Sequence, residues 1–233
     1  MERSSIFNNI KEVYSIISRG AMKAERSPDE VKLVAVTKTV GTDAIREAVD
    51  CGLRVFGENR VQEAKAKILS DVVGSWSEKL EWHLIGHLQK NKAKDAVPLF
   101  DLIHSVDSVG LAEELDRQAE KIGKTQRILV QVKLSEEETK SGIAIDQLMP
   151  LLHAIKNLKN LRLEGLMTIP PYTEDAKQAV PYFRQLRELR DAAESAGIPL
   201  PELSMGMSHD FEFAIEEGAT MVRIGTALFG ERS

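Results

Sequence analysis

Short apolar runs rich in β-branched residues recur along this chain, and helical patterns separate them. Each run has the length and the residue preference of a strand that is buried on both faces. The sequence therefore predicts eight strands. They are KLVAVT (32–37), RVFGE (54–58), WHLIG (82–86), LIHSV (102–106), RILVQVKL (127–134), LRLEGLMTI (161–169), ELSMG (202–206) and MVRIG (221–225).

The segments between these runs have apolar residues at helical spacing, and several end at a glycine. Examples are TDAIREAVDCG, NRVQEAKAKIL, VGLAEELDRQAEKIG and FRQLRELRDAAESAG. Strands that alternate with helices form parallel sheets through right-handed crossovers. Eight such units in a chain near the ~250 residues typical of the fold favour an eight-stranded parallel β/α (TIM-type) barrel. An open, doubly wound parallel sheet is the alternative.

An amphipathic segment, MERSSIFNNIKEVYSIISRG, precedes the first predicted strand and predicts an extra N-terminal helix. The chain contains no linker, low-complexity stretch or repeat that would divide it. We therefore expect one domain over residues 1–233.

Composition and charge narrow the class of protein. The chain has 233 residues, 42% of them hydrophobic and 29% charged, and its formal net charge is 31 − 36 = −5. This balance gives no general attraction to nucleic acid or to an anionic membrane, and no apolar run approaches the ~20 residues of a membrane span. The single cysteine, Cys51, excludes an internal disulfide and fits a reducing compartment. We expect a cytoplasmic protein with neither nucleic acid nor membrane as a partner.

Polar residues of several kinds stand at the carboxyl ends of the predicted strands. In a β/α barrel these ends form the working face, so these side chains should meet at one rim. The residues at these ends are Lys38, Asn59, His87, Lys133, Met167, Thr168, the loop MGMS (205–208), Arg223, Gly225 and Thr226.

The seventh and eighth loops have the composition of a phosphate site. Barrels of this kind often bind phosphate there through backbone amides and the start of a helix. Ser208 is predicted to be the N-cap of the helix that follows it, while Gly225 lets the backbone approach a ligand and Thr226 adds an amide and a hydroxyl. The alternative is that Ser208 only caps a helix and that the glycines only form turns.

Lys38 ends the first predicted strand on the same face as Val34 and Val36, because side chains alternate along a strand. A lysine in this position either extends to solvent or belongs to a site. As part of a site it would form a Schiff base with an aldehyde, since desolvation makes its amine easier to deprotonate. Together, Lys38, the phosphate loops and the cation of Arg223 match the aldehyde, phosphate and ring nitrogen of pyridoxal phosphate.

Several longer motifs resemble the pyridoxal-phosphate homeostasis protein family. They are VKLVAVTKT, VFGENRVQEA, WHLIGHLQKNK, the run from GLMTI, and LSMGMSHDFEFAIEEGATMVRIGTALFG, and the resemblance covers nearly the whole chain from about residue 30. That family is similar to the barrel domain of bacterial alanine racemase without its second domain. The resemblance implies a monomeric protein that binds pyridoxal 5'-phosphate and carries or regulates the pool of that cofactor. Amino-acid and keto-acid balance would respond, and apo forms of pyridoxal-phosphate enzymes are candidate recipients.

The resemblance also implies roles for individual residues. Lys38 would form the Schiff base, and Ser208 with the amides of Gly225 and Thr226 would bind the phosphate. Arg223 would face the pyridine nitrogen. A permanent cation in that position disfavours protonation of the ring, which makes the cofactor a poorer electron sink.

Asn59 would also line the cofactor pocket by the same resemblance. His209 stands where a small residue is common in the family, which leaves the packing of its loop open. An alternative function is a pyridoxal-phosphate-dependent amino-acid racemase, for which Tyr172 is a candidate base. A third is a protein-binding module that retains the pocket.

Two further features have simpler interpretations. His83 and His87 have the i, i+4 spacing of a helical zinc pair, but WHLIGH reads as a strand followed by a loop, so we expect no metal site. Cys51 is expected to pack at the end of a helix, since nothing near it marks a reactive thiol.

Overall fold

A computed structural model of the chain describes residues 5–70, 80–135 and 141–230. Eight parallel strands, each paired with the next along the chain, form a closed barrel, and the last strand pairs with the first. The predicted barrel is therefore confirmed, and the open sheet is wrong. The strands are β1 Lys32–Val36, β2 Val55–Glu58, β3 Glu81–Leu84, β4 Leu102–Val106, β5 Gln126–Gln131, β6 Leu161–Met167, β7 Glu202–Met207 and β8 Met221–Ile224.

Helices of the described residues alternate with these strands, and the extra N-terminal helix is present. None of them has the length and apolar character needed to cross a membrane. The helices are α1 Ser5–Lys23, α2 Thr42–Asp50, α3 Val61–Ile68, α4 Ala93–Ala96, α5 Val109–Lys121, α6 Ile145–Ile155, α7 Val180–Ser195, α8 Phe211–Glu216 and α9 Thr226–Phe229.

Five strands, β1, β3, β5, β6 and β8, end one to three residues earlier than the apolar runs that predicted them. The fifth run extends to residue 134, but β5 ends at Gln131 because the chain then leaves the barrel to form a single bridge between Val132 and Ile143. The third run extends to residue 86, whereas β3 ends at Leu84. Apolar character thus continues beyond β3 into the rim, where Ile85 lines a cavity.

The barrel has an inner and an outer apolar layer. A small cluster fills its interior, and the larger core lies between the strands and the surrounding helices. Helix α1 buries one face against α8 and α9, the helices that follow the last two strands, and Asn9 donates to the carbonyl of Leu228 at 2.9 Å. The N-terminal helix therefore supports the part of the rim formed by β7 and β8. The interior cluster consists of Val34, Leu102, Leu129, Met167 and Met221.

Candidate functional site

A cavity of about 460 Å³ opens at the carboxyl ends of the strands. The structure brings together the side chains or backbone of all the residues that sequence analysis assigned to a cofactor: Lys38, Asn59, Ser208, Arg223, Gly225 and Thr226. Of the other strand-end residues, Lys133, Met167, Thr168, Met205 and Gly206 do not line this cavity. The side chain of Met167 packs in the barrel interior, and Lys133 is tied by its amide to the carbonyl of Ile143 at 2.9 Å.

Lys38 follows β1 and lines the cavity together with Val36. Thr37, between them, turns the other way and is buried, with its hydroxyl 2.6 Å from a carboxylate oxygen of Glu58. The alternation predicted from sequence is therefore confirmed. The Lys38 side chain is half-buried at the rim. A lysine amine attacks an aldehyde only in its neutral form.

Ser208 caps a helix, but not the helix that was predicted. Its hydroxyl accepts hydrogen bonds from the amides of Gly225 at 3.2 Å and Ala227 at 3.3 Å, at the start of α9. The chain makes a turn over residues 208–210, and α8 begins only at Phe211. The turn is closed by Asp210, whose carboxylate accepts the amide of Met207 at 2.6 Å, and this bond delays the start of the helix.

The donors at the start of α9 fit a phosphate group. The amides of Gly225 and Ala227 point to one oxygen atom, the Ser208 hydroxyl lies beside them, and Thr226 is exposed with its own hydroxyl. Backbone amides at a helix start and a hydroxyl are the donors that bind phosphate in many proteins. An oxyanion is a stronger acceptor than the serine oxygen that these amides contact here.

Arg223 in β8 is almost completely buried, with 3% of its surface exposed. Its guanidinium donates to the hydroxyl of Ser204 at 2.5 Å and to the carbonyl of Thr168 at 2.8 Å. Burial lowers the pKa of Arg223 to about 10, and the nearby Asp210 carboxylate opposes that shift. Arg223 therefore remains a cation at neutral pH, and both ends of its guanidinium fork are fixed.

A chain of buried polar groups continues from Arg223 through the barrel interior. Ser204 Oγ lies 2.9 Å from His104 Nδ1, His104 Nε2 lies 2.9 Å from His83 Nδ1, and His83 Nε2 lies 2.9 Å from Glu81 Oε1. Burial lowers the pKa of His83 and lowers that of His104 well below its usual range, so both rings are neutral. The hydrogen bond from His83 holds the pKa of Glu81 well below its usual range, so Glu81 is ionised.

These protonation states fix the direction of every bond in the chain. The Glu81 carboxylate only accepts, so His83 Nε2 carries the hydrogen and His83 Nδ1 accepts from His104 Nε2. His104 Nδ1 then accepts from the Ser204 hydroxyl, which in turn accepts from Arg223. All the donors and acceptors along the chain are matched. We call Arg223, Ser204, His104, His83 and Glu81 the interior relay.

Sequence analysis did not identify this relay. His104 and Ser204 lie within the predicted strands LIHSV and ELSMG, and a polar residue inside an apolar run was the available signal. His83 was considered only as half of a zinc pair. The structure places His83 inside β3 and His87 in the loop after it, so the expected break in helical spacing is confirmed.

A metal centre finds no support in the part of the chain that the structure describes. No group of three or more His, Cys, Asp or Glu residues there could hold an ion. His87 lies at the rim with its Nδ1 3.7 Å from a carboxylate oxygen of Asp107. Cys51 follows the last residue of α2, and burial raises the pKa of its thiol, which fits a packing residue at a helix end.

Two glycines allow close approaches at the rim. A Cβ atom on Gly86 would lie 2.3 Å from the carbonyl oxygen of Asn59, so only glycine lets these two segments of the cavity wall meet. Gly206 has a φ of +90°, and a Cβ there would lie 2.6 Å from that of Ala214. Gly206 thus permits the sharp path from β7 to Ser208.

The loops on the outer side of the cavity meet at Tyr172 and His209. Their ring centroids lie 5.6 Å apart, and His209 Nε2 lies 3.1 Å from the carbonyl oxygen of Glu174. His209 therefore joins the loop after β7 to the loop after β6. Tyr172 lines the cavity and is 78% exposed.

Comparison with known proteins agrees with this geometry. Residues 17–233 match the family model described as alanine racemase, N-terminal domain. The chain is 47% identical over 226 residues to the pyridoxal phosphate homeostasis protein of Aquifex aeolicus (strain VF5), with 96% of each chain covered.

Solved structures are similar over nearly the full chain as well. PipY of Synechococcus elongatus PCC7942, determined with PLP bound, is 43% identical with a TM-score of 0.81, and the alignment covers 92% of this chain and 100% of PipY. A protein from Bifidobacterium adolescentis is 38% identical with a TM-score of 0.89, and the alignment covers 96% of this chain and 94% of that one.

Proposed function

Since this chain belongs to the pyridoxal phosphate homeostasis protein family, we propose that it binds pyridoxal phosphate and carries or regulates the supply of that cofactor. The observation that carries the proposal is the convergence of Lys38, the Ser208 loop and Arg223 on one cavity. An amine, a phosphate-binding loop and a buried cation match three separate parts of one molecule.

Each side chain has a distinct task in this proposal. The neutral amine of Lys38 attacks the aldehyde carbon, and one water leaves as the C=N bond of a Schiff base forms. Ser208, Thr226 and the amides of Gly225 and Ala227 bind the phosphate. Bound pyridoxal phosphate supplies an electron-withdrawing ring, which in catalytic proteins stabilises carbanions.

Arg223 would make the bound cofactor a poorer electron sink, but it does not by itself exclude racemisation, because alanine racemase has a similar arginine. The Arg223 guanidinium stays charged at neutral pH, and it offers only donors. A cation that faces the ring nitrogen disfavours protonation of the ring, so the cofactor withdraws electrons less strongly than it would beside a carboxylate. The proposal is binding and release of cofactor with little or no catalysis.

A racemase is the second candidate, because Tyr172 lines the cavity and could act as a base on a bound amino acid. Its exposure and the contact of its ring with that of His209 fit a rim residue equally well. Incubation of the cofactor-loaded protein with single enantiomers of small amino acids decides between them. Racemisation that Tyr172→Phe removes would establish the enzyme, whereas unchanged enantiomers support the carrier.

The proposal extends to partners, location and assembly. Apo forms of pyridoxal-phosphate enzymes are the proposed recipients, and the protein is proposed to act in the cytoplasm as a monomer with one domain over residues 1–233. The net charge of −5 and the single cysteine support a cytoplasmic protein that binds neither nucleic acid nor membranes.

Binding of pyridoxal phosphate and of pyridoxal, which lacks the phosphate, tests the proposal directly. Equilibrium dialysis should show at least about 100-fold tighter binding of the phosphorylated form, because several charge-assisted hydrogen bonds at ~1.5 kcal/mol or more each are lost without it. Equal affinities would contradict the phosphate site. Transfer should then be visible as activation of an added apo-enzyme by the loaded protein.

A further inference from the structure

The two peptide groups that flank Lys38 are both held by side chains of α3. On the carboxyl side, the amide of Thr39 donates to Glu63 Oε1 at 2.6 Å. On the amino side, the carbonyl of Thr37 accepts from Lys67 Nζ at 2.5 Å. The backbone at Lys38 is therefore fixed on both sides by one helix.

Glu63 and Lys67 form one cluster with the buried Glu58. Lys67 Nζ lies 2.7 Å from Glu58 Oε1 and 2.7 Å from Glu63 Oε1, in addition to its bond to the carbonyl of Thr37. An ammonium group has three hydrogens, and these three partners use all of them. Only 11% of the Lys67 side chain is exposed, so the cluster is a specific and nearly dry arrangement.

The cluster holds Thr39 in a backbone conformation that is unfavourable for a threonine. Thr39 has a φ of +63°, in the left-handed region that β-branched residues rarely adopt. Its hydroxyl donates to the carbonyl of Lys38 at 2.6 Å, and its amide is the group that Glu63 accepts. Such a conformation persists only when neighbouring groups hold it.

The charges of the cluster suit this task. Burial opposes ionisation of Glu63, but the hydrogen bonds from Lys67 and from the Thr39 amide together lower its pKa. Burial raises the pKa of Glu58, which lies deeper in the protein. Ionised Glu63 is thus a stronger acceptor for the Thr39 amide than a neutral carboxyl group would be.

We propose that Glu63 and Lys67 are positioning residues that hold the backbone of Lys38 so that its amine faces the cofactor cavity. Helix α3 begins two residues after Asn59, which lines the same cavity, so the helix joins two parts of the cavity wall. The inference rests on the proposed function, because it assigns the Lys38 amine to the cofactor aldehyde. The contacts themselves do not depend on a cofactor.

The first experiment needs no cofactor. Hydrogen exchange of the Thr39 amide, followed by NMR, should be at least about tenfold faster in Glu63→Ala than in the unaltered protein, because its acceptor is gone. Glu63→Gln keeps an oxygen acceptor and should restore part of the protection. Glu120→Ala, an exposed glutamate on α5, is the matched control and should change nothing. We call Glu63 and Lys67, with their bonds to the peptide groups on either side of Lys38, the clamp. Unaltered exchange at Thr39 in Glu63→Ala would overturn it.

The second experiment asks whether the clamp acts through Lys38. In the unaltered background, Glu63→Ala should weaken pyridoxal phosphate binding on the order of tenfold and lower the yield of borohydride-reduced adduct on Lys38. In a Lys38→Ala background, the same substitution should leave the remaining affinity unchanged, since no amine is left to position. Equal losses in both backgrounds would show a general structural role and overturn the proposal.

These two experiments separate the failure of this inference from the failure of the proposed function. If the unaltered protein bound no pyridoxal phosphate at all, the proposed function and the positioning role would both be overturned. The exchange measurement would still decide whether Glu63 holds the Thr39 amide. Because 28% of the Glu63 side chain is exposed, its replacement by Ala should leave the barrel folded. Lys67→Met then tests the other arm of the clamp by labelling: the yield of reduced adduct on Lys38 should fall, and an unchanged yield would remove Lys67 from the positioning role.

Discussion

The two groups proposed to contact opposite parts of the cofactor are supported in different ways. Lys38 is held through the peptide groups on either side of it, by ionised side chains at the edge of the barrel. Arg223 is held through its own guanidinium, by the interior relay of neutral histidines. A lysine that must form and release a bond needs a fixed backbone, whereas an arginine that only presents a charge needs a fixed side chain.

The difference also follows from where each support lies. Near the rim, the Glu63 side chain is 28% exposed and keeps part of its hydration, while the buried Glu58 and Lys67 pair their charges with each other. Inside the barrel an unpaired charge would be very costly. There, neutral histidine rings link Arg223 to a carboxylate through a continuous chain of hydrogen bonds. That carboxylate, Glu81, lies at the opposite end of the barrel, where Arg127 Nη1 contacts it at 2.6 Å.

Removal of His104 should have the largest effect on the interior support. His104→Ala leaves a cavity and deprives both the Ser204 hydroxyl and His83 Nδ1 of their buried partners. We expect a loss of at least about 3 kcal/mol in the free energy of unfolding, measured by chemical denaturation. His153→Ala, at an exposed histidine on α6, is the control and should cost less than about 0.5 kcal/mol. Similar losses in the two variants would show that the relay contributes nothing specific.

Substitutions in the proposed phosphate site should have the next largest effect, which is on the affinity for pyridoxal phosphate. Ser208→Ala combined with Thr226→Ala removes both hydroxyls of the site but leaves its amides. Affinity for pyridoxal phosphate should fall by ~1 to 3 kcal/mol for each lost charge-assisted bond, while covalent attachment persists at high cofactor concentration. Ser195→Ala, on the exposed face of α7, serves as the control. An unchanged affinity in the double variant would remove both side chains from the site.

A smaller effect concerns the interior relay alone: its two histidines should make the free energy of unfolding depend on pH. The folded protein holds the pKa of His83 and His104 below the ordinary value of 6.5, so the unfolded chain binds more protons below that pH. The stability that these neutral rings contribute is complete above pH 6.5 and is lost as pH falls towards their folded pKa. The free energy of unfolding should therefore decrease by up to ~1.4 kcal/mol per pH unit for each histidine.

His104→Asn tests this assignment, because it keeps polar atoms at the position but does not titrate. The slope of unfolding free energy between pH 6.5 and 5 should become shallower in this variant. If His104→Asn kept the full slope, His104 would not be neutral and buried as the relay requires.

Local patterns were enough to predict most of the fold and the polar residues of the rim. The strands followed from apolar runs bounded by turn residues, and the inward face of Lys38 followed from alternation with Val34 and Val36. The helix assigned to Ser208 was wrong, because the choice between capping α8 and capping α9 depends on a turn that Asp210 closes. The amides that Ser208 accepts lie 17 and 19 residues further along the chain, and no local pattern predicts that contact.

The two supports could not be predicted for a related reason. Glu63 and Lys67 are visible in the sequence as an i, i+4 pair on a helix, but their shared partner, the backbone around Lys38, lies on a different element. His104 and Ser204 are 100 residues apart, and only closure of the barrel brings them within 2.9 Å. A period of two tells which way a strand residue points, but not which residue it meets across the barrel.

Reduction of the loaded protein with borohydride, followed by peptide mapping, is the most direct test of the account. If Lys38 forms a Schiff base with the aldehyde, reduction should leave a stable secondary amine, and the pyridoxyl mass should be found on Lys38. Lys38→Ala should abolish that label, although the phosphate loop and Arg223 still retain some cofactor without a covalent bond. A reduced adduct found chiefly on Lys133 or another lysine, or scattered over exposed lysines and unaffected by Lys38→Ala, would contradict the account even if pyridoxal phosphate bound tightly.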